Sequence, residues 1–145
     1  MEKKNEMRLE FDSRSVNEGF ARVAVAAFLA ELNPTLDELA DIKTAVSEAV
    51  TNAIIHGYEN EAGKVSLGCR IDGEEIEIVI SDTGKGIADV EQAKTPFYTT
   101  RPELERSGMG FAFMEAFMDD VQVESELGKG TTVYMKKRIG RKDDC

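Results

Sequence analysis

The chain has 145 residues, 41% apolar and 32% charged, the balance of one folded globular domain rather than a disordered chain. Its net charge of −10 argues against direct nucleic-acid binding, which needs lysine and arginine to displace counterions. No apolar run reaches the ~18–20 residues of a membrane span, and the charged opening Met1-Glu-Lys-Lys has no apolar stretch behind it, so a cytoplasmic protein without membrane contact is expected.

Met7, Leu9 and Phe11 alternate with polar residues and predict an opening strand. Ser15-Val-Asn-Glu18 has the pattern of a capping box and predicts a helix to about Leu32. That helix is apolar nearly all round (Val16, Phe20, Val23, Ala24, Ala27, Phe28, Leu29). A single sheet does not cover such a surface, so a second subunit, a partner or burial within the monomer remain the alternatives. After Asn33-Pro34, Thr35-Leu-Asp-Glu38 is a second capping box. It opens a helix expected to run to His56 and close on Gly57, with Leu39, Ile42, Val46, Ala49 and Ala53 as its core stripe.

Val65, Leu67, Cys69 and Ile71, then Ile76, Ile78 and Ile80, alternate about an Asp72-Gly73 turn and predict a hairpin with one buried face. Residues 82–110 read as a long functional loop. A third helix over about Phe111–Phe117 and a last hairpin around Gly128-Lys-Gly130 follow. The order predicts an α+β two-layer sandwich: a mixed, mostly antiparallel sheet with helices on one face. The chain is expected to be a single domain with an ordered core over about 8–138 and a flexible tail over 139–145. Cys69, on the apolar side of its run, reads as a buried, inert thiol. Residues 103–126 hold seven acids and one base, Arg106, which is either solvated surface or a docking face for a basic protein.

Three clusters have chemical potential. Glu48 and Asn52, four residues apart, share a face of the second helix, roughly opposite its core stripe. Such a pair serves equally as solvated helix surface. Functionally, Asn52 would offer magnesium a hard oxygen, and Glu48 would accept a proton from an attacking hydroxyl. Asp82-Thr-Gly84-Lys-Gly86-Ile87 follows a strand. A carboxylate there can accept from an exocyclic amine while the glycines let the backbone approach a flat ring, which suits adenine; the pattern is also a common turn. Gly108-Met109-Gly110 precedes a helix, whose free N–H groups suit a polyphosphate, although a glycine pair also simply caps helices. Lys94, Arg101 and Arg106 lie in the loop before it, and Gly130-Thr131-Thr132 leads into the last strand, where hydroxyls would line a base pocket. The sole histidine, His56, cannot form a zinc site with the two separated cysteines and reads as a structural group or a supporting one near the phosphates. No P-loop or Gly-x-Gly-x-x-Gly pattern occurs.

Glu-x3-Asn on a helix, Asp-x-Gly-x-Gly after a strand and Gly-x-Gly before a helix, in this order, resemble the ATP-binding fold shared by gyrase, Hsp90, histidine kinases and MutL. The resemblance spans roughly residues 8–138. Glu-Ala-Val-Thr-Asn-Ala-Ile-Ile-His-Gly and Pro-Glu-Leu-Glu-Arg-Ser-Gly-Met-Gly-Phe are similar, more narrowly, to the anti-sigma serine kinases of spore-forming bacteria. The resemblance implies a single ATP-binding kinase domain with Mg²⁺ and ATP or ADP as its cofactors. It implies Glu48 as general base, Asn52 on magnesium, Arg106 at the γ-phosphate and Asp82 on the adenine amine. Gly84, Gly86, Ile87, Thr99, Thr100, Ser107, Gly108, Met109, Gly110, Phe111 and Thr131 would complete the nucleotide site. It further implies a homodimer, a sporulation sigma factor as bound partner and a serine of an anti-anti-sigma protein as phosphate acceptor. The alternative is a nucleotide-gated sigma-binding module with little or no kinase activity.

Overall fold

The computed structural model describes residues 4–58, 62–86 and 110–140. Among the described residues five strands form one sheet: β1 (Lys4–Asp12), β2 (Lys64–Asp72), β3 (Glu75–Asp82), β4 (Asp120–Glu126) and β5 (Gly130–Arg138). The α-helices among the described residues, α1 (Val16–Leu29), α2 (Leu36–Thr51) and α3 (Gly110–Phe117), form the second layer, with α2 in the middle, packed on both α1 and α3. Among the described residues no helix is long and apolar enough to cross a membrane.

The strand order is β1-β2-β3-β5-β4. A mixed, mostly antiparallel sheet was expected, and every pairing observed is antiparallel. The reason lies in β5. The run from β3 through α3 to β4 is a crossover that returns the chain in the direction of β3, which on its own would leave two parallel neighbours. β5 folds back from β4 and inserts between them.

The register stacks the inward side chains in rows across the sheet. One row is Met7, Cys69, Ile78, Met135 and Val121, and the next is Leu9, Leu67, Ile80, Val133 and Val123. Their central members are buried under the helices, beside Ile42, Val46, Ala49 and Val50 of α2. Burial pushes the Cys69 thiol up to about 12, which leaves it inert as expected. Ile139, the first residue of the expected tail, is buried and its N–H donates to the Glu74 carbonyl at 2.8 Å.

The two capping boxes fare differently. At Thr35 both reciprocal bonds form, Glu38 N–H to Thr35 Oγ1 at 3.0 Å and Thr35 N–H to Glu38 Oε1 at 2.9 Å. At Ser15 none forms: the residue is already helical (φ −55°, ψ −32°), not in the extended conformation that points a capping hydroxyl at the first turn. Glu18 turns instead to α2, where its carboxylate accepts from the Ser47 hydroxyl.

α1 ends at Leu29, with a 3-10 turn carrying the chain through Leu32. Ala21, Val25 and Leu29 face the core. Val16, Phe20 and Val23 stay 53–66% exposed, so burial within the monomer does not cover the apolar excess of this helix.

Candidate nucleotide site

The third inward row of the sheet is Phe11, Val65, Asp82, Thr131 and Ser125. Here the alternation that buries Ile76, Ile78 and Ile80 delivers a carboxylate to the same face, and Asp82 is only 8% exposed. Its Oδ1 accepts from the Gly84 N–H at 2.9 Å, which shapes the following turn. The Thr131 N–H on β5 also points at the carboxylate. Burial nevertheless dominates and raises the Asp82 pKa, the two N–H groups opposing it. An ionised carboxylate held short of water favours a ligand bearing an N–H donor.

The wall behind this turn is the β4–β5 hairpin, whose Gly130-Thr131-Thr132 was expected to line a base pocket. Gly128 N–H donates to the Lys85 carbonyl at 2.6 Å. Gly86 (φ +79°) passes so close to the hairpin that a Cβ would sit 2.1 Å from the Glu126 carbonyl oxygen. Gly130 (φ +107°) lies equally close to the carbonyl oxygen of Asp82. Both positions therefore exclude side chains by conformation and by space. Gly130→Ala is expected to cost about 2–3 kcal/mol through overlap and backbone strain. A thermal melt would register this as a drop of several degrees, and an unchanged melting temperature would contradict the close approach.

Glu48 and Asn52 are both half-buried, so their face is not the solvated surface that its position opposite the core stripe suggested. The helix was expected to stay α-helical to His56; instead Asn52–Gly57 winds as a π-helix, closed by the Tyr58 N–H on the Ala53 carbonyl at 3.1 Å. π turns in α-helices frequently mark functional sites. This segment packs on β3 and β5, the strands that hold Asp82 and Thr131. Asn52 Nδ2 is buried without a hydrogen-bond partner. Buried amides rarely stay unsatisfied, and the two ends of an amide are told apart only by their partners. Asn52 thus carries unspent capacity that a hard oxygen-seeking cation or a water would take up.

Among the described residues no cluster of three histidines, cysteines or carboxylates could hold a metal alone. The donor set fits a magnesium ion that brings most of its ligands with it and takes one from the protein.

Thr131 is half-buried, and its hydroxyl shares a 2.7 Å hydrogen bond with Ser125. Phe111, expected at the nucleotide, has its side chain in the core at 7% exposure, which leaves only its backbone for a ligand. The helix expected over about Phe111–Phe117 is present, and Gly110 belongs to it. Ile87, Thr99, Thr100, Arg106, Ser107, Gly108 and Met109, with Lys94 and Arg101, lie outside the described residues.

A family model for the histidine kinase-like ATPase domain matches residues 9–137. Anti-sigma F factors align over nearly the whole chain. That of Geobacillus kaustophilus is 60% identical over 95% of both chains. That of Geobacillus stearothermophilus is 62% identical over 92% of both, and that of Clostridium botulinum 61% over 93% of this chain and 95% of its own.

The chain belongs to the anti-sigma F factor family of histidine kinase-like ATPase domains.

A crystal structure of the RsbU and RsbW domains of a Mycobacterium tuberculosis protein superposes with a TM-score of 0.69 at 21% identity. The match covers 95% of this chain and 33% of that one, and it supports the fold. Membership in an ATPase-type family implies that this domain binds a nucleotide.

Proposed function

We propose that this chain is a cytoplasmic anti-sigma factor that is also a protein serine kinase, its ATP-binding and kinase functions contained in one domain. The carrying observation is that a half-buried carboxylate, Glu48, stands one helical turn before a half-buried Asn52 whose Nδ2 is buried and unsatisfied. The segment that Asn52 opens packs on the strands bearing Asp82 and Thr131. Identity near 60% to anti-sigma F factors, over almost the full length of each, supports a sporulation sigma factor as the partner.

In this reading Asp82 accepts from the 6-amino group of adenine, and Gly84 and Gly86 let the turn lie against the ring. Magnesium, carried on the phosphates and touched by Asn52, would neutralise charge on the transferring group. Glu48 takes the proton of a serine hydroxyl on an anti-anti-sigma protein. That oxygen bonds to the γ-phosphorus as the bond to the β–γ bridging oxygen breaks, and ADP leaves. Arg106 is assigned to the γ-phosphate, while Ile87, Thr99, Thr100 and the Ser107–Gly110 stretch are assigned to the nucleotide.

The test is transfer of ³²P from γ-labelled Mg-ATP to a purified anti-anti-sigma protein, followed by phosphoserine analysis. Labelled serine supports the kinase. ATP-dependent sigma binding without label would favour the nucleotide-gated binding module, to which the exposed apolar stripe of α1 also lends itself.

That stripe, whose Phe20 ring meets Phe11 of the edge strand β1, also supports a homodimer. Val23 is 63% exposed, so Val23→Asp should leave the monomer folded while placing an unpaired charge in the interface. Sedimentation velocity should then show association weakened on the order of 100-fold. Unchanged association would move the interface elsewhere.

A further inference from the structure

Tyr58 ties the π-helical segment directly to the Asp82 turn. Its backbone N–H closes the segment on Ala53. Its hydroxyl donates to the Lys64 carbonyl at 2.6 Å, at the start of β2. The same oxygen accepts from the Thr83 N–H at 2.8 Å, immediately after Asp82, and lies 3.1 Å from Thr83 Oγ1. The ring packs against Gly63, where a Cβ would come within 2.5 Å of it. The π turn sets where Tyr58 leaves the helix, the missing side chain at Gly63 makes room for the ring, and the hydroxyl joins the two parts of the site.

We propose that Tyr58 is a positioning residue: it fixes the adenine-reading turn, Asp82–Gly86, relative to the Asn52 segment that faces the phosphates. This rests on the nucleotide reading above. Its consequence concerns selectivity rather than affinity alone. Asp82 discriminates adenine only while its carboxylate stays in register with the 6-amino group, and a bound triphosphate anchored at the Asn52 end fixes where that group falls. Freed from Tyr58, the turn shifts against the anchored nucleotide, and the hydrogen bond to the amine weakens while contacts to the phosphates persist.

The test compares ATP with ITP, in which a carbonyl oxygen replaces the 6-amino group, by competition against a fluorescent ATP analogue in the presence of magnesium. Tyr58→Phe keeps the ring and removes the hydroxyl. Thr83 is exposed, so water can replace the lost bond and the fold should hold in a thermal melt. The expected result is a preference for ATP over ITP narrowed about 10-fold, with ITP affinity changed much less than ATP affinity. Gly63→Ala, which displaces the ring but leaves the hydroxyl, should narrow the preference in the same way and serves if Tyr58→Phe proves unstable. Tyr134→Phe, on the helix-free face of the sheet, should leave it unchanged. An undiminished preference in Tyr58→Phe, or in Gly63→Ala where that variant replaces it, overturns the positioning role. A wild-type chain that binds ATP and ITP equally would instead overturn the assignment of Asp82 to the adenine amine.

Discussion

Glu48→Gln is expected to lower phosphate transfer by roughly 10²–10⁴-fold, the usual contribution of a positioned general base, while ATP affinity stays within a factor of about three. Glutamine keeps the shape and hydrogen-bonding reach of the side chain but cannot accept the serine proton. The surroundings favour a clean substitution. Glu48 is half-buried on α2, which is held on both flanks by α1 and α3 and capped at its start by Thr35 and Glu38. Removing one charge there should not unfold the helix. The measurement pairs the initial rate of label transfer at saturating Mg-ATP with a fluorescence titration of nucleotide binding. A rate near wild type would remove Glu48 from the base role. A rate and an affinity that fall together would make it a group that holds the nucleotide or its metal. Sigma binding should survive the substitution, because the proposed base acts on the proton of the acceptor.

The parts of this molecule that were legible in the sequence are those fixed by neighbours along the chain. The Thr35 box forms because residues three apart suffice for it. The alternations over Val65–Ile71 and Ile76–Ile80 became buried strand faces, and the same alternation, continued one step, announces that Asp82 points inward. The illegible parts depend on what packs from a distance. Ser15-x-x-Glu18 has the same local pattern as the Thr35 box, yet Glu18 is drawn to Ser47, 29 residues away. Nothing in Asn52-Ala-Ile-Ile-His-Gly57 distinguishes a π winding from an α one. That winding is accompanied by burial of Ala53 and Ile54 and by Tyr58 reaching Lys64 and Thr83. The Gly128–Gly130 turn backs the Asp82–Gly86 turn only because β5 lies beside β3, a strand order that no local pattern encodes. Sequence reasoning could see α1's excess of apolar side chains, but only the packing separates the buried Ala21, Val25 and Leu29 from the exposed Val16, Phe20 and Val23.

Asp82→Asn should separate nucleotide binding from stability. The carboxylate is nine-tenths buried, and a hydrogen bond from a ligand amine to an ionised acceptor is worth about 1.5–3 kcal/mol, so ATP affinity should fall roughly 10- to 150-fold. The fold should lose little. Burial raises the Asp82 pKa, which means the ionised form is disfavoured in the folded chain relative to the unfolded one. The neutral amide escapes that penalty while its oxygen can still accept from Gly84, and it gives up only the second acceptor that faces Thr131. The same raised pKa fixes the direction of the pH dependence. The folded chain takes up the proton at higher pH than the unfolded one, so within the window between the two values this group makes the fold more stable as pH falls. Nucleotide binding moves the opposite way, because protonated Asp82 loses the charge that attracts the amine. Isothermal titration should therefore show ATP affinity beginning to decline at a pH above the ordinary aspartate range, and this component should vanish in Asp82→Asn. An affinity loss confined to the phosphate's own titration, identical in wild type and variant, would mean that Asp82 does not read the base.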